Sequence, residues 1–370
     1  MFRTTPLHAY HAEHAEMTEF AGYDMPLWYT ATTDEHMAVR NNSGIFDVSH
    51  MGRFMVRGSK AGQFLEDLVP TNVQSQPAGK AFYTLLLNDN GGIIDDLIIE
   101  KLSDVRYMVV VNAANARTDM DHMSKLAPED LDIVDLTPDS AMVAVQGPKA
   151  ADSLQPMTEL DLANLKRFRC AETKVADEEA LLSRTGYTGE DGFEVIIFNC
   201  SNEHPEKALR IWDRLAGSST PCGLGARDSL RLEAGFPLHG SDIDQGTNPF
   251  QADLSWVISA GKAGYVGSKA VADAAAQHPQ TIRRGLVLEA GIPRHGFEID
   301  GVSGAVGSVT SGGFSPIIRK GIAQCRVKYD TSDVGTKVSV DVRDNRQSAT
   351  ITKPPFYDEQ LYGWKRQKGN

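Results

Sequence analysis

Arg184-Thr185-Gly186-Tyr187-Thr188-Gly189-Glu190-Asp191-Gly192-Phe193-Glu194 lies between the strand-like runs Ala180–Ser183 and Phe193–Phe198. Gly186, Gly189 and Gly192 let the backbone turn tightly and approach a ligand with no Cβ in the way. Tyr187 supplies an aromatic ring, and three carboxylates share the same short span. A flat ligand rich in N–H donors, such as a pterin, needs that mix of a stacking surface and paired acceptors. A polar hairpin loop without any ligand suits the same residues, so the flanking sequence decides.

At 370 residues the chain exceeds one core, and two or three domains are expected. Hydrophobic residues at 41% and charged residues at 23% are ordinary for a soluble globular protein. A net charge of −12 argues against nucleic acid as a partner, because phosphate contacts need clustered Lys and Arg. Cys170, Cys200, Cys222 and Cys325 are far apart and form no CxxC pair. They read as reduced structural thiols. The N-terminus is polar and rich in His, and no run reaches membrane-spanning length. The expectation is a soluble, cytoplasmic protein with no membrane partner.

The lead-in reads as a polar helical segment around His8–Phe20, a Gly22/Pro26 turn, and a short helix Thr33–Arg40. From Arg53 strands and helices alternate: Phe54–Val56, Ala61–Leu68, Ala81–Leu87, then the turn Asn88-Asp89-Asn90-Gly91-Gly92 and a returning strand Ile93–Glu100. Tyr107–Val111, Ala116–Leu126, Asp130–Leu136 and Ala141–Val145 continue the alternation. Pro205–Leu215 and Ala226–Ala234 are helical, and Lys269–Ala276 is the last clear helix. Beyond it, Arg284–Leu288, Ala305–Thr310, Gly321–Lys328, Lys337–Val342 and Ser348–Thr352 are short strands punctuated by Gly, the pattern of a small closed barrel.

Asp95 and Asp96 stand side by side in an apolar strand, where buried carboxylates are costly. Alternation sends them to opposite faces, one to solvent and one to a cleft, but periodicity does not say which. A turn-proximal Asp that bonds backbone amides is the plain alternative. His50, in Asp47-Val48-Ser49-His50-Met51, is a candidate acid–base group or a hydrogen-bonded structural histidine. His8, His11 and His14 spread over roughly 120° of helical arc and do not converge on one metal ion. No metal site, G-x-S-x-G elbow, P-loop or dinucleotide fingerprint is present.

Taken in order, the motifs resemble the glycine cleavage system T-protein family, tetrahydrofolate-dependent aminomethyltransferases. The landmarks are Thr5-Pro6-Leu7, Phe20–Leu27, Gly44–Met51, Asn88–Asp96, Val110–Asn115, Val145-Gln146-Gly147-Pro148 and Arg184–Asp191. Cys222–Gly235, Thr310–Pro316 and Lys353-Pro354-Pro355-Phe356 complete them. The resemblance implies an α+β, three-domain cloverleaf-like architecture with a C-terminal β-barrel. Its first domain would be discontinuous, 1–51 plus 137–262, with a second α+β domain at 52–136 and the barrel at 280–362. It implies tetrahydrofolate as one-carbon acceptor and a lipoylated H-protein as donor partner.

Carried over position by position, the family's catalytic aspartate falls on Asp96 and the pterin-holding carboxylate on Glu194. Tyr83 and Arg227 match folate-contacting positions, Asn112 and Tyr187 line the central folate channel that the resemblance implies, and Met51 packs against the bound cofactor. A C-terminal tyrosine that touches folate falls on Tyr362 or Tyr357. A non-enzymatic relative that assists iron–sulfur proteins carries Lys-Gly-Cys-Tyr-x-Gly-Gln-Glu at the glycine loop; Arg184–Asp191 has no Cys. Phe236-Pro237-Leu238-His239 and Asn248–Ala252 depart from the T-protein pattern. They leave open a second chemistry of the wider family, demethylation of a sulfonium or methylamine compound. Arg283, Arg284, Arg319 and Lys320 are candidate basic contacts for the carrier.

Overall fold

The computed structural model describes residues 2–343 and 345–366. The chain divides into two compact units. The first comprises Met1–Leu68, Asn72–Thr84 and Asp96–Arg227; the second comprises Val69–Thr71, Leu85–Asp95 and Asp228–Asn370.

With a small two-stranded sheet in its lead-in, the first unit is built on two large sheets. One runs, in spatial order, Cys170–Val175, Glu178–Ser183, Gly192–Phe198, Ser140–Gln146, Gly44–Asp47 and Thr220–Pro221. Alternation gives it one apolar face, where Phe193, Val195, Ile197, Val143, Val145 and Leu182 are fully buried. That face packs on the helix Glu206–Ala216, whose Ala208, Ile211, Trp212 and Leu215 repeat at the spacing of one helical side. The opposite face carries Gln146, Ser183 and Glu194. The other sheet runs Lys80–Leu87, Ile93–Ser103, Arg106–Val111, Gly52–Arg57 and Asp132–Asp135. The tip of its first hairpin, Leu85–Asp95, groups with the second unit.

The second unit contains the expected barrel, closed by six strands: Thr281–Leu288, Lys320–Lys328, Gly304–Ser315, Glu298–Gly301, Lys337–Val342 and Asn345–Thr352. Its interior is filled by alternate residues such as Leu286, Leu288, Val338, Val340, Ala349 and Ile351.

Most sequence-derived elements are present within a residue or two of their limits. The lead-in differs. The helix stops at His14, and Glu16–Phe20 instead pairs antiparallel with Tyr23–Trp28. Its turn is Ala21-Gly22, with φ of 51° and 80°, and Pro26 lies within the second strand. Gly44–Asp47 and Glu298–Gly301 went unread because four residues are too few to show a period, and Cys170–Val175 because its outward positions are polar. The histidines of the lead-in are tied to protein groups. His8 meets Asp24 at 2.8 Å, His14 meets the Tyr10 carbonyl at 2.7 Å, and buried His11 sits between Asp47 and the Tyr29 hydroxyl.

Arg53 fixes the passage from the first sheet to the second. Its guanidinium is fully buried and donates to the carbonyls of Ser49, Met51, Thr137 and Ser140 and to the Ser140 hydroxyl, at 2.5–3.0 Å. Burial pulls its pKa down to about 10, so it stays charged at neutral pH. Arg53→Met keeps the apolar stem but strands several buried carbonyls, each costing about 1–3 kcal/mol. Urea unfolding should show a loss of at least ~3 kcal/mol. A loss below 1 kcal/mol would mean that this passage is held by something else.

Candidate active site

The glycine-rich loop connects the paired strands Glu178–Ser183 and Gly192–Phe198, with Ser183 directly opposite Glu194. Its three carboxylates have different fates. Asp191 accepts two bonds from the Arg184 guanidinium. Glu190 is buried against Arg40 at 3.0 Å, with side-chain exposures of 1% and 0%. Glu194 remains half-buried, its Oε2 accepting from the Thr185 hydroxyl at 2.5 Å. Burial raises the Glu194 pKa, opposed by the Thr185 bond and by Arg227. The Arg227 guanidinium lies 4.8 Å from the centre of the Tyr187 ring. Thr185, Tyr187, Glu194 and Arg227 are therefore one cluster, offering an acceptor pair, a ring and a cation.

Two of the three glycines are required by the packing of the fold itself. A Cβ on Gly186 would fall inside the Gln146 side chain, and one on Gly192 would meet the Val145 carbonyl. Gly189, at φ 80°, alone supplies a left-handed turn. Gln146 then brackets the loop, donating to the Thr185 carbonyl at 3.0 Å and accepting from the Thr188 hydroxyl at 2.8 Å.

A second cluster forms on the other sheet. Of the aspartate pair, Asp95 is fully buried and Asp96 half-buried. The Tyr83 hydroxyl donates to Asp96 Oδ2 at 3.0 Å. Asn112, two residues beyond the pairing that sets Ile98 opposite Val110, donates to Asp96 Oδ1 at 2.9 Å and to its carbonyl at 3.0 Å. Tyr83 and Asn112 thus orient this carboxylate.

Glu100 connects the clusters, and sequence reasoning missed it. It sits four residues beyond Asp96 on the same face of its strand, roughly 13 Å along. Ser183, the cross-strand partner of Glu194, donates its hydroxyl to Glu100 Oε1. Oε2 is buried without a hydrogen-bond partner. Burial pushes the Glu100 pKa up to about 8, with the nearby Glu194 charge adding to the rise. The signal for it was a charged residue closing the apolar run Leu97-Ile98-Ile99.

Other sequence candidates lie as follows. Met51 is half-buried beside the Arg53 passage. His50 is buried, its Nδ1 has no hydrogen-bond partner among the described residues, and burial pulls its pKa down to about 3. It borders a cavity of about 600 Å³ lined also by Arg3, Tyr23, Arg117 and Asn202, which contains none of the clustered residues. Tyr357 is buried and Tyr362 half-buried, their rings 6.5 Å apart in the second unit. Arg283 and Arg284 are spent within that unit, Arg283 on the Ala252 and Gly235 carbonyls and Arg284 on the Ser332 carbonyl and Asp253. Arg319 and Lys320 stay exposed.

A two-sheet unit bearing these clusters, followed by a closed barrel, matches a known class. Residues 7–262 match the GCVT N-terminal domain and residues 283–358 the glycine cleavage T-protein C-terminal barrel domain. An aminomethyltransferase of Thermus thermophilus is 41% identical over 96% of this chain and 99% of its own length. One of Chloroherpeton thalassium is 39% identical over 95% and 98%. The crystal structure of glycine cleavage system aminomethyltransferase T from Bartonella henselae is 34% identical, with a TM-score of 0.91, covering 98% of this chain and 100% of that one. The chain belongs to the glycine cleavage T-protein family and is an enzyme of one-carbon transfer.

The Glu100 carboxyl holds its proton in the folded state up to about pH 8, whereas the unfolded chain releases it near 4.5. Stability attributable to this group is therefore intact below pH 4.5 and lost as pH rises towards 8. Glu100→Gln removes that dependence. Its unfolding free energy should match that of the wild type near pH 4 and exceed it at pH 9 by up to on the order of 4 kcal/mol. Parallel stability profiles of the two proteins from pH 4 to 9 would contradict this.

Proposed function

We propose that the protein transfers an aminomethyl group from a lipoylated H-protein to tetrahydrofolate, releasing ammonia and yielding 5,10-methylene-tetrahydrofolate. The observation that carries this is Glu194: a half-buried carboxylate with a single hydroxyl partner, flanked by the Tyr187 ring and Arg227. A pterin edge presents adjacent N–H donors, and a carboxylate held this way accepts two of them in parallel. Bound there, tetrahydrofolate supplies the ring nitrogen that receives the one-carbon unit. The protein's own contribution centres on Asp96. Held by Tyr83 and Asn112, its negative charge is fixed where a cationic reacting carbon would need stabilising, and it is placed to take a proton. Met51 is proposed to complete the ligand's surroundings.

Two substitutions test the two roles. Asp96→Asn should keep tetrahydrofolate affinity while lowering turnover by about 100-fold or more. Near wild-type turnover would remove Asp96 from the mechanism. Glu194→Gln should cost about 1–3 kcal/mol of tetrahydrofolate binding by calorimetry, and unchanged affinity would remove Glu194 from recognition. The donor is tested by offering purified protein and tetrahydrofolate either aminomethylated carrier or dimethylsulfonium and methylglycine compounds. Methylene-tetrahydrofolate and ammonia from the carrier alone are expected. Methyl-tetrahydrofolate from a sulfonium donor, with the carrier inert, would replace this reading by a demethylase.

A further inference from the structure

The outer edge of the first sheet gathers like charges around one ring. Phe168 sits just before the edge strand Cys170–Val175 with φ of 56°, a left-handed conformation that is strained for a bulky residue. The backbone is pinned on both sides: Phe168 N–H donates to the Arg184 carbonyl at 2.9 Å, and its own carbonyl accepts from Ala81 N–H at 3.1 Å. The half-buried ring has the Lys80 ammonium 5.7 Å and the Arg167 guanidinium 5.1 Å from its centre. Lys80 and Arg169 are bridge partners, and Lys166 is exposed next door. None of Lys80, Lys166 and Arg169 is paired with a carboxylate among the described residues. Arg106, by contrast, is matched to Glu172.

This is unusual in a protein with 49 acidic and 37 basic residues. Burial, and then the Arg169 charge, lower the Lys80 pKa. A strained, pinned backbone at Phe168 and three cations, Lys80, Lys166 and Arg169, without carboxylate partners among the described residues suit an anion with several charged groups that arrives from outside. We propose that Lys80, Lys166, Arg167 and Arg169 around Phe168 form a binding site for a compact polyanion bearing two or more carboxylate or phosphate groups. Cys170 pairs with Ser183 and Ser183 with Glu194, so the patch lies two strands, roughly 10 Å, from the Glu194 cluster. The anion is therefore either free in solution or an anionic tail on a molecule held at Glu194. The second source rests on the function proposed above, and the first does not.

Calorimetry at low salt distinguishes them, using citrate and tripolyphosphate as free polyanions and tetrahydrofolate with one or three glutamyl residues as the tailed ligand. Citrate or tripolyphosphate binding that falls at least fivefold in Lys80→Gln/Arg169→Gln, but not in Arg106→Gln, supports a free polyanion. A triglutamyl preference that vanishes in the double variant, with the monoglutamyl affinity unchanged, supports the tail. Lys166→Glu, on an exposed side chain, repeats the test if the double variant melts early. Absence of binding by every polyanion, or binding that all these variants retain, overturns the site. If tetrahydrofolate itself fails to bind, the folate reading falls while the citrate and tripolyphosphate arms still decide the patch.

Discussion

The arrangement depends on how the loop 184–194 disposes of its own charge. Arg184 takes Asp191 and Arg40 takes Glu190, so two of three carboxylates are neutralised inside the protein. The Arg40–Glu190 pair is buried, and removing either partner would leave an uncompensated charge, a cost of about 3–5 kcal/mol. Gln146 holds the backbone between them. What remains is Glu194, rigidly carried on a strand and open on one side. A carboxylate so placed can discriminate donors by geometry, because its neighbours leave it no freedom to swing away.

Glu100 links that carboxylate to the other sheet. Through the Ser183 hydroxyl, Glu100 ties the strand that presents Asp96 to the strand paired with Glu194, so the two clusters share one connection. Its raised pKa keeps it neutral beside Glu194 at physiological pH, which spares the cleft a second negative charge. The two carboxylates differ because of their surroundings: Asp96 is held by a phenol and an amide, Glu100 by one hydroxyl in a dry site.

Much of this was legible beforehand, for identifiable reasons. The barrel announced itself through short strands with Gly at regular intervals, and the Asp95-Asp96 pair through the rarity of adjacent carboxylates in an apolar strand. Which aspartate faces outward was not legible, since alternation fixes only that the two differ. That Gly186 and Gly192 make room for Gln146 and Val145 is a tertiary fact absent from local sequence. Glu100 was missed because a single charge at the end of an apolar run also reads as a strand leaving the core. The lead-in strand Glu16–Phe20 was missed because its polar residues carry no period, and only its pairing with Tyr23–Trp28 reveals it.

The most direct measurement is a crystal structure of the protein with 5-methyl-tetrahydrofolate bound. The account predicts the pterin amino and ring N–H groups on the Glu194 carboxylate and the ring nitrogen that carries the one-carbon unit turned towards Asp96. A ring lodged instead in the cavity beside His50, or a Glu194 carboxylate without ligand contact, would contradict it.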